Sequence, residues 1–304
     1  MKDPVAGATA AVLVVYHLQS QPGPIVERLL AQLGVVVLVD NAPAGHPALA
    51  LLPAHPHLLR IANANRGGLA GAYNRAIERL RAERPDIQQI VFVDEDSEVD
   101  VLPALLADPA VRELLADEQV AAVAPAYRDR ATGLRGKHLQ FESRWRLRYL
   151  PREVEGLHAV AFVINSMSVW RMAALQRLGP YDEGLRIDHV DTEYCLRAHR
   201  ASLKVMLHGG HSFGHRIGER RVYKLLGVQL QAGGHSPARR YLIARNTLWL
   251  ARHSLWREPG FAWLCLLRLG YEAVGILMAE PQKLAKLGAL LRGCGVGLLS
   301  RRLA

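Results

Sequence analysis

Residues 58–97, LLRIANANRGGLAGAYNRAIERLRAERPDIQQIVFVDEDS, decide the fold. The stretch opens with a short apolar run (58–62), continues with an apolar stripe at helical spacing from Leu69 to Leu80, and ends in the run IVFVD (90–94). A strand, a helix and a second strand at these intervals predict two parallel strands joined by a crossover helix.

The same pattern extends in both directions along the chain. Three further apolar runs have the length of buried parallel strands: AVLVVY (11–16), VVVLVD (35–40) and QVAAVAP (119–125). Together these segments predict an α/β fold with a doubly wound, mostly parallel sheet flanked by helices. In such sheets the ligand crevice lies at the carboxyl ends of the strands.

Composition excludes several classes of protein. The 304 residues are 50% hydrophobic and 22% charged, a mixture that argues against wholesale disorder and against a polytopic membrane protein. Three scattered cysteines are too few for a disulfide scaffold, so a reducing compartment is expected. The first apolar run is too short for a convincing signal peptide.

Positive charge is concentrated in the last part of the chain. The net charge is +10, and the segment from Arg239 to the end holds eleven lysines and arginines against three acids. The apolar stretch 261–278 is interrupted by Arg268 and Glu272, which predicts a helix lying in an anionic membrane interface rather than spanning a bilayer. A packed helical hairpin with a solvated basic face is the alternative. Nucleic acid is not expected as a partner, because no aromatic-rich basic loop or helix-turn-helix pattern is present.

Acidic residues follow two of the predicted strands. Asp40 and Asp94 should project into one crevice, and Asp94 and Asp96 alternate, so both can face one divalent cation while Glu95 points away. A solvated acidic turn is the alternative interpretation. The polar and glycine residues at 63–68 precede a helix, where backbone N–H groups could approach a phosphate or simply form a turn.

A second group of titratable residues lies near position 200. Asp188 and Asp191 could supply a general base or cap a helix N-terminus. His208, His211 and His215 follow, close to glycines that permit near approach of a ligand.

These motifs, in this order, resemble family 2 glycosyltransferases of the GT-A fold, and in particular their L-rhamnosyltransferase branch, which includes an enzyme of rhamnolipid synthesis. The resemblance is carried by VDN (39–41), NRGGLAGAYNRAI (65–77), DEDS (94–97), YDEGLRIDHVDTEYCLRA (181–198), GHRIG (214–218) and HSPARRYLIARN (235–246).

The resemblance implies an inverting enzyme that transfers L-rhamnose from dTDP-L-rhamnose to a lipid-linked or glycolipid acceptor, peripherally bound at the cytoplasmic, inner face of the cell membrane. A different nucleotide sugar, or a noncatalytic nucleotide-sugar-binding scaffold, is the alternative. It also implies a catalytic domain over 1–238, with a nucleotide-sugar half at 8–125 and an acceptor half at 126–238. The basic helical region then covers 239–304.

The resemblance also implies roles for individual residues. The donor-binding residues are Tyr16, Asp40, Asn41, Asn65, Gly68, Asn74 and Asp94. Asp94, Asp96 and His215 would bind Mg²⁺ or Mn²⁺. The catalytic group is Asp191, with Asp188 as the rival base and Glu193 and Arg197 in support.

The chain departs from the branch at two positions. Glu95 stands where the branch has glutamine, which adds a charge near the expected metal. Met167 stands where it tends to have glycine, in a strand expected to border the acceptor. The acceptor is therefore expected to differ from that of the rhamnolipid enzymes.

Overall fold

A computed structural model describes residues 3–17, 21–130, 132–215, 221–225, 228–232 and 234–303. Its strands are β1 (Thr9–Val15), β2 (Val35–Asp40), β3 (Leu58–Ala62), β4 (Gln89–Asp94), β5 (Val120–Asp129), β6 (Leu139–Ser143), β7 (Arg146–Tyr149), β8 (Leu157–Val160), β9 (Val169–Arg171), β10 (Lys204–His215), β11 (Arg221–Leu225) and β12 (Val228–Ala232). Its helices are α1 (Pro4–Gly7), α2 (Gly23–Gln32), α3 (Pro47–Ala50), α4 (Gly68–Glu83), α5 (Leu102–Ala107), α6 (Pro109–Ala116), α7 (Met172–Leu178), α8 (Val190–Arg200), α9 (Pro237–Ser254), α10 (Pro259–Ala279) and α11 (Lys283–Leu299), with a short 3₁₀ turn at Val99–Val101.

The main sheet has the order β3-β2-β1-β4-β9-β5-β10-β8. Strands β1 to β4 are parallel, and the register places Asp40 beside Val15 and Asp94 beside Val14. The short strand β9 runs antiparallel between β4 and β5, and β8 is antiparallel at the edge. The predicted α/β fold with a doubly wound, mostly parallel sheet is confirmed, and the strands at 35–40 and 58–62 have the predicted bounds.

Both faces of the sheet are covered, because the central strands alternate between two hydrophobic clusters. On β1, Val12 packs with α4, α7 and α8, whereas its neighbour Leu13 packs with α2, α5 and α6. Leu13 is fully buried, and such a side chain stabilises the fold by about 1.5–3 kcal/mol. Helices on both faces leave the carboxyl ends of the strands as the open edge of the sheet.

The three C-terminal helices pack on the sheet domain and on one another. Leu196 of α8 shares a small hydrophobic cluster with Leu250 of α9 and Phe261 of α10. A buried cation, Arg240, contacts the carboxylates of both Glu272 and Glu280. Removing one member of such a buried set leaves an uncompensated charge, so this ion cluster fixes how the helices sit together.

Helix α10 is the one helix in the described ranges that is long and apolar enough to cross a bilayer. Its best window has a mean hydropathy of 1.5, and a third of that window is buried against the rest of the protein. Its buried face includes Phe261, Cys265 and Leu269, while Trp263 and Leu267 on the other side are exposed. The helix therefore has one face packed on protein and one apolar face open to its surroundings.

Candidate active site

A cavity of about 1970 Å³ opens at the carboxyl ends of the strands. Val14 of β1 and Asp94 of β4 form its floor, and the segment 186–192 before and at the start of α8 forms one side. Helix α9 closes another side, with Arg239 among its lining residues. Ligand pockets usually measure about 300–1,000 Å³, so this cavity has room for two substrates.

Two carboxylates and an imidazole converge at the floor of the cavity. The ligand atoms of Asp94, Asp96 and His215 all lie within 4.8 Å of one another. The N–H of Asp94 donates to the Ser97 hydroxyl, which lies 2.7 Å from the Ser166 hydroxyl and thereby ties the loop to the neighbouring segment. This carboxylate and imidazole donor set fits Mn²⁺ and Mg²⁺.

The environment of these groups fits a cation as well. Burial raises the pKa of Asp94; the charge of His215 opposes that shift and the charge of Asp96 adds to it. The Nδ1 atom of His215 is buried and has no hydrogen-bond partner in the described part of the chain. Mutual repulsion of the two carboxylates and an imidazole nitrogen without a partner would both be relieved by a bound divalent cation.

Glu95 does not join this cluster. Its carboxylate accepts hydrogen bonds from the N–H groups of Tyr16 (3.1 Å) and His17 (3.3 Å), at the end of β1. The side chain thus fixes the segment after β1, which a glutamine could do with only one of its two terminal atoms. Glu95 carries an extra negative charge relative to the rhamnosyltransferase branch that the sequence resembles. Its carboxylate contacts backbone N–H groups.

Four of the predicted donor-binding residues besides Asp94 line the cavity: Tyr16, Asn41, Asn65 and Gly68. The Asn41 side chain accepts a hydrogen bond of 2.6 Å from Asn63. Gly68 has a positive φ of 62°, and a Cβ there would lie 2.3 Å from the carbonyl oxygen of Arg186. The glycine is therefore required for the close approach of the segment before α8, whatever it also offers to a phosphate.

Asp40 and Asn74, also predicted to bind donor, are not among the residues that line the cavity. Asp40 accepts hydrogen bonds from the N–H groups of Ala42 and His46, so both of its oxygens organise the loop after β2. Asn74 exchanges hydrogen bonds with the backbone of Tyr181. In this structure both residues position segments beside the cavity, because their polar atoms are already engaged by backbone.

The segment before α8 has an unusual backbone. Arg186, Asp188 and His189 have φ values of 59°, 58° and 64°, in the left-handed region that non-glycine residues rarely adopt. The side-chain nitrogen of Asn246, on α9, lies 2.8–3.1 Å from the carbonyl oxygens of Leu185, Ile187 and Asp188.

A second contact from α9 holds the same segment. His189 lies 2.7 Å from the Thr247 hydroxyl, and burial lowers the pKa of His189 to about 3, so the ring is neutral. A strained backbone conformation persists only where surrounding contacts hold it in place, and such conformations are concentrated at functional sites. Helix α9 supplies those surroundings here.

The two candidate bases differ in their partners. Asp188 receives two hydrogen bonds of 3.2 Å from Arg239. Asp191, in the first turn of α8, accepts at one oxygen from the N–H of Thr192 (2.7 Å) and remains partly open to the cavity. Burial raises the pKa of Asp191 above the usual range for aspartate, although the Thr192 hydrogen bond works in the opposite direction. Asp191 therefore combines a less engaged carboxylate with a pKa that burial raises.

Glu193 and Arg197, predicted to support catalysis, do not line the cavity. They form an ion pair of 2.6 Å along α8, and Arg197 also donates to the carbonyls of Leu178 and Pro180. Their contacts tie α8 to the end of α7, so they position the helix that presents Asp191 rather than contact a ligand.

The three clustered histidines separate in the structure. His208 and His211 each place Nε2 near one oxygen of Asp108, at 3.1 and 2.9 Å, away from His215. The N–H of Gly210 donates to Nδ1 of His208. In the neutral form of His208, Nδ1 accepts this hydrogen bond, so the proton is on Nε2, which donates to Asp108. His208, His211 and Asp108 therefore form a hydrogen-bonded cluster.

Met167 lies in the left-handed region, with φ of 63°, and is fully buried. This is the position at which the resembling branch tends to have glycine, whose freedom at positive φ explains that preference. The neighbouring Ile164, Asn165 and Ser166 line the cavity. Met167 thus adopts the positive φ that a glycine would adopt at this position, and its side chain fills part of the hydrophobic core.

Two lining residues, Arg268 of α10 and Arg292 of α11, had no specific signal in the sequence as parts of a site. Arg239 and Arg245 of α9 also line the cavity, and they belong to the stretch 235–246 that carries part of the resemblance. Asn246 lies at the end of the stretch 235–246 that carries part of the resemblance, which is the one signal that could have drawn attention to it. Residues 216–218 of the GHRIG motif lie outside the described residues.

Comparison with known proteins gives partial similarities. No family model matches this chain. Over 89 residues the chain is 36% identical to the dTDP-rhamnosyl transferase RfbF of Shigella flexneri, an alignment that spans 29% of this chain and 29% of that protein.

Two solved structures are similar at low sequence identity. A crystal structure of GalNAc-T7 with UDP, GalNAc and Mn²⁺ has a TM-score of 0.48 and 16% identity, covering 78% of this chain and 47% of that one. The structure of A197 from STIV has a TM-score of 0.40 and 14% identity, covering 73% and 89%.

Proposed function

We propose that this protein is an inverting GT-A glycosyltransferase that moves L-rhamnose from dTDP-L-rhamnose to a hydroxyl of a lipid-linked or glycolipid acceptor. The observation that carries the proposal is a single cavity that holds a cation-type donor set, Asp94, Asp96 and His215, together with the partly open carboxylate of Asp191. The partial similarity to a dTDP-rhamnosyl transferase supports the choice of donor.

The reaction separates a diphosphate leaving group from the sugar. Mg²⁺ or Mn²⁺ held by Asp94, Asp96 and His215 would supply charge neutralisation for that leaving group. Asp191 accepts the proton of the acceptor hydroxyl as its oxygen attacks the anomeric carbon from the opposite face. One such displacement inverts the configuration of the anomeric carbon.

The structure offers a physical reason to favour Asp191 over Asp188 as the base. Two hydrogen bonds from Arg239 occupy both oxygens of Asp188. Burial raises the pKa of Asp191, which suits a carboxylate that accepts a proton from the acceptor hydroxyl. Arg239 then acts to hold Asp188 and the strained segment beside it.

Donor recognition falls to the polar groups at the ends of β1 to β3. Tyr16, Asn41, Asn65 and Gly68 line the cavity and would contact the nucleotide and sugar. Another nucleotide sugar is the competing donor.

We further propose that the C-terminal helices attach the protein to the anionic, cytoplasmic face of the cell membrane. The outward residues Trp263, Leu267 and Tyr271 of α10 and Leu284 and Leu291 of α11 are exposed. Exposed basic side chains lie on the same helices and at their ends: Arg257, Lys283, Arg301 and Arg302. Apolar area with adjacent cations is the combination that binds anionic interfaces.

Donor binding tests the catalytic proposal. Calorimetric titration with dTDP-L-rhamnose, dTDP-glucose and UDP-glucose, each with Mg²⁺, with Mn²⁺ and with chelator, should show tight, metal-dependent binding of dTDP-L-rhamnose. Preference for a UDP-sugar would replace the donor while retaining the reaction. Absence of binding by folded protein would favour the noncatalytic scaffold.

Vesicle sedimentation tests the membrane proposal. We expect co-sedimentation with anionic vesicles, weakened by high salt and by Trp263→Ser and Leu267→Ser. Leu51→Ser is the matched control, because Leu51 is 82% exposed on the sheet domain. Equal binding to neutral vesicles, insensitive to salt, would contradict the electrostatic part.

A further inference from the structure

The wall of the cavity built by the C-terminal helices is cationic. Arg239 and Arg245 of α9, Arg268 of α10 and Arg292 of α11 all line it, and no aspartate or glutamate of these helices does so among the described residues. Arg186, in the segment before α8, lines the same cavity. Carboxylates are confined to the opposite floor and to the start of α8.

Two of these arginines keep most of their hydrogen-bonding capacity. The Arg292 side chain is exposed and forms no ion pair or hydrogen bond with the described part of the chain. Arg268 lies 3.9 Å from Glu272, whose carboxylate also contacts the buried Arg240. A guanidinium presents five donors, so both groups have donors left for a ligand.

Arg268 lines the cavity together with His189 and Asp191. Its charge lowers the pKa of His189 in addition to the larger effect of burial. It also lowers the pKa of Asp191, against the larger raising effect of burial. Arg268 therefore lies close to the base, where an acceptor molecule would be held.

Several cations facing one cavity repel one another, and the positive charge of Arg186 already lowers the pKa of Arg245, after the larger effect of burial. Such an arrangement is stabilised by an anionic ligand with planar, multidentate acceptors, of which phosphate is the best match for arginine. The donor's own diphosphate belongs at the floor with Asp94 and Asp96. The cationic wall is thus left for a second anion.

The surroundings of the two arginines identify what that anion is attached to. Leu267 and Tyr271 stand within one helical turn of Arg268, and Leu291 precedes Arg292; all three apolar side chains are exposed. An anion bound at these arginines therefore meets an apolar surface on its outer side and the proton acceptor Asp191 on its inner side.

We propose that Arg268 and Arg292, with Arg239 beside them, form a phosphate subsite for the acceptor, and that the acceptor carries a phosphate or diphosphate between its lipid chain and its sugar. The inference rests on the proposed glycosyl transfer, because it assigns the cation-binding floor to the donor. The phosphate subsite reduces the range of possible acceptors from any glycolipid to anionic lipids in which a phosphate links the lipid chain to the sugar.

Binding in chelator tests this subsite separately from catalysis, because without a cation the carboxylates at the floor repel a diphosphate. The probes are geranyl diphosphate, geraniol and inorganic diphosphate, titrated by calorimetry. We expect geranyl diphosphate to bind at least about tenfold more tightly than geraniol, the size of one to two charge-assisted hydrogen bonds. Inorganic diphosphate should bind more weakly than the lipid form; equal binding would overturn the lipid attachment.

Variants locate the bound probe. Arg268→Gln and Arg292→Gln should each weaken the binding of geranyl diphosphate about fivefold or more. Arg257→Gln should leave this affinity unchanged, because Arg257 is exposed and does not line the cavity. Asp96→Asn removes a repelling carboxylate at the floor and should not weaken binding of geranyl diphosphate. Weakening by Asp96→Asn alone, or no effect of the two arginine variants, would overturn the subsite. The proposed glycosyl transfer is tested separately, by the metal-dependent binding of nucleotide sugars, and absence of that binding would contradict it.

Discussion

The two sides of the cavity are built in different ways. At the floor, Asp94 ends β4, Asp96 lies two residues later, and His215 ends β10, so the strand ends bring the groups together. At the opposite side, Asp188 lies in left-handed backbone whose carbonyls are held by Asn246, 58 residues further along the chain. A sheet positions side chains through its topology alone, whereas the strained segment depends on a helix that docks from elsewhere.

Replacement of the base should have the largest effect. Asp191→Asn keeps the shape and the hydrogen bond from Thr192 but removes the proton acceptor, so we expect kcat to fall about 10³-fold. Nucleotide-sugar binding should be nearly unchanged, since the role proposed for Asp191 is proton transfer from the acceptor. Steady-state kinetics and donor calorimetry measure the two effects.

Asp188→Asn is the matched variant. This substitution weakens the ion pair with Arg239 but leaves the proposed base in place. We expect kcat to fall about tenfold, the effect of losing one charge-assisted hydrogen bond. The reverse ranking of the two variants would assign the base to Asp188.

Loss of a floor carboxylate should have the next largest effect, and a different signature. Asp96→Asn removes one of the groups that converge with Asp94 and His215, so metal-dependent donor binding should weaken about 10²-fold. Raising the Mn²⁺ concentration should restore part of it. Glu95→Gln is the control, because Glu95 contacts backbone at the end of β1; an effect as large as that of Asp96→Asn would place Glu95 in the metal set.

The third comparison sets two asparagines against each other. Asn246 is fully buried and holds the segment before α8, while Asn74 joins α4 to the backbone of Tyr181 away from the cavity. Either alanine substitution leaves backbone groups without partners and should lower the free energy of unfolding by about 1–3 kcal/mol. Asn246→Ala should in addition lower kcat about tenfold, because the strained segment relaxes.

Thermal unfolding and kinetics on the same preparations separate these effects. If kcat follows stability equally in Asn246→Ala and Asn74→Ala, the helix-held segment has no special role in positioning the base.

Much of the fold was predictable from the sequence, because buried parallel strands are continuous apolar runs. The runs at 35–40 and 58–62 are strands with those bounds, and the stripe from Leu69 to Leu80 lies within α4. The convergence of Asp94 and Asp96 follows from alternation at a strand end. These features depend only on local pattern and sheet topology.

The rest of the site depends on contacts that local pattern does not encode. Nothing in the sequence alone indicates left-handed backbone at Asp188 or Met167, which are not glycines. The backbone contacts of Asp40 depend on how the following loop folds. Arg292 reaches the cavity only because α11 packs on α9, and helix packing between distant segments is a tertiary property.

The smallest expected effect concerns stability, and it distinguishes the two acids by sign. Burial raises the pKa of Asp191 in the folded protein, so the fold favours the neutral form and carries a penalty when the group ionises. That penalty is absent below the pKa of the unfolded chain and grows as pH rises through the folded pKa. Asp191→Asn removes it and should raise the free energy of unfolding at pH 7 by about 0.5–2 kcal/mol. Thermal unfolding at pH 7 and near pH 4 measures the gain, which should shrink at the lower pH. Asp188→Asn should lower stability at pH 7, because it breaks the pair with Arg239. If Asp191→Asn were destabilising at both pH values, its carboxylate would be a structural partner, and the assignment of the base would pass to the rival acid.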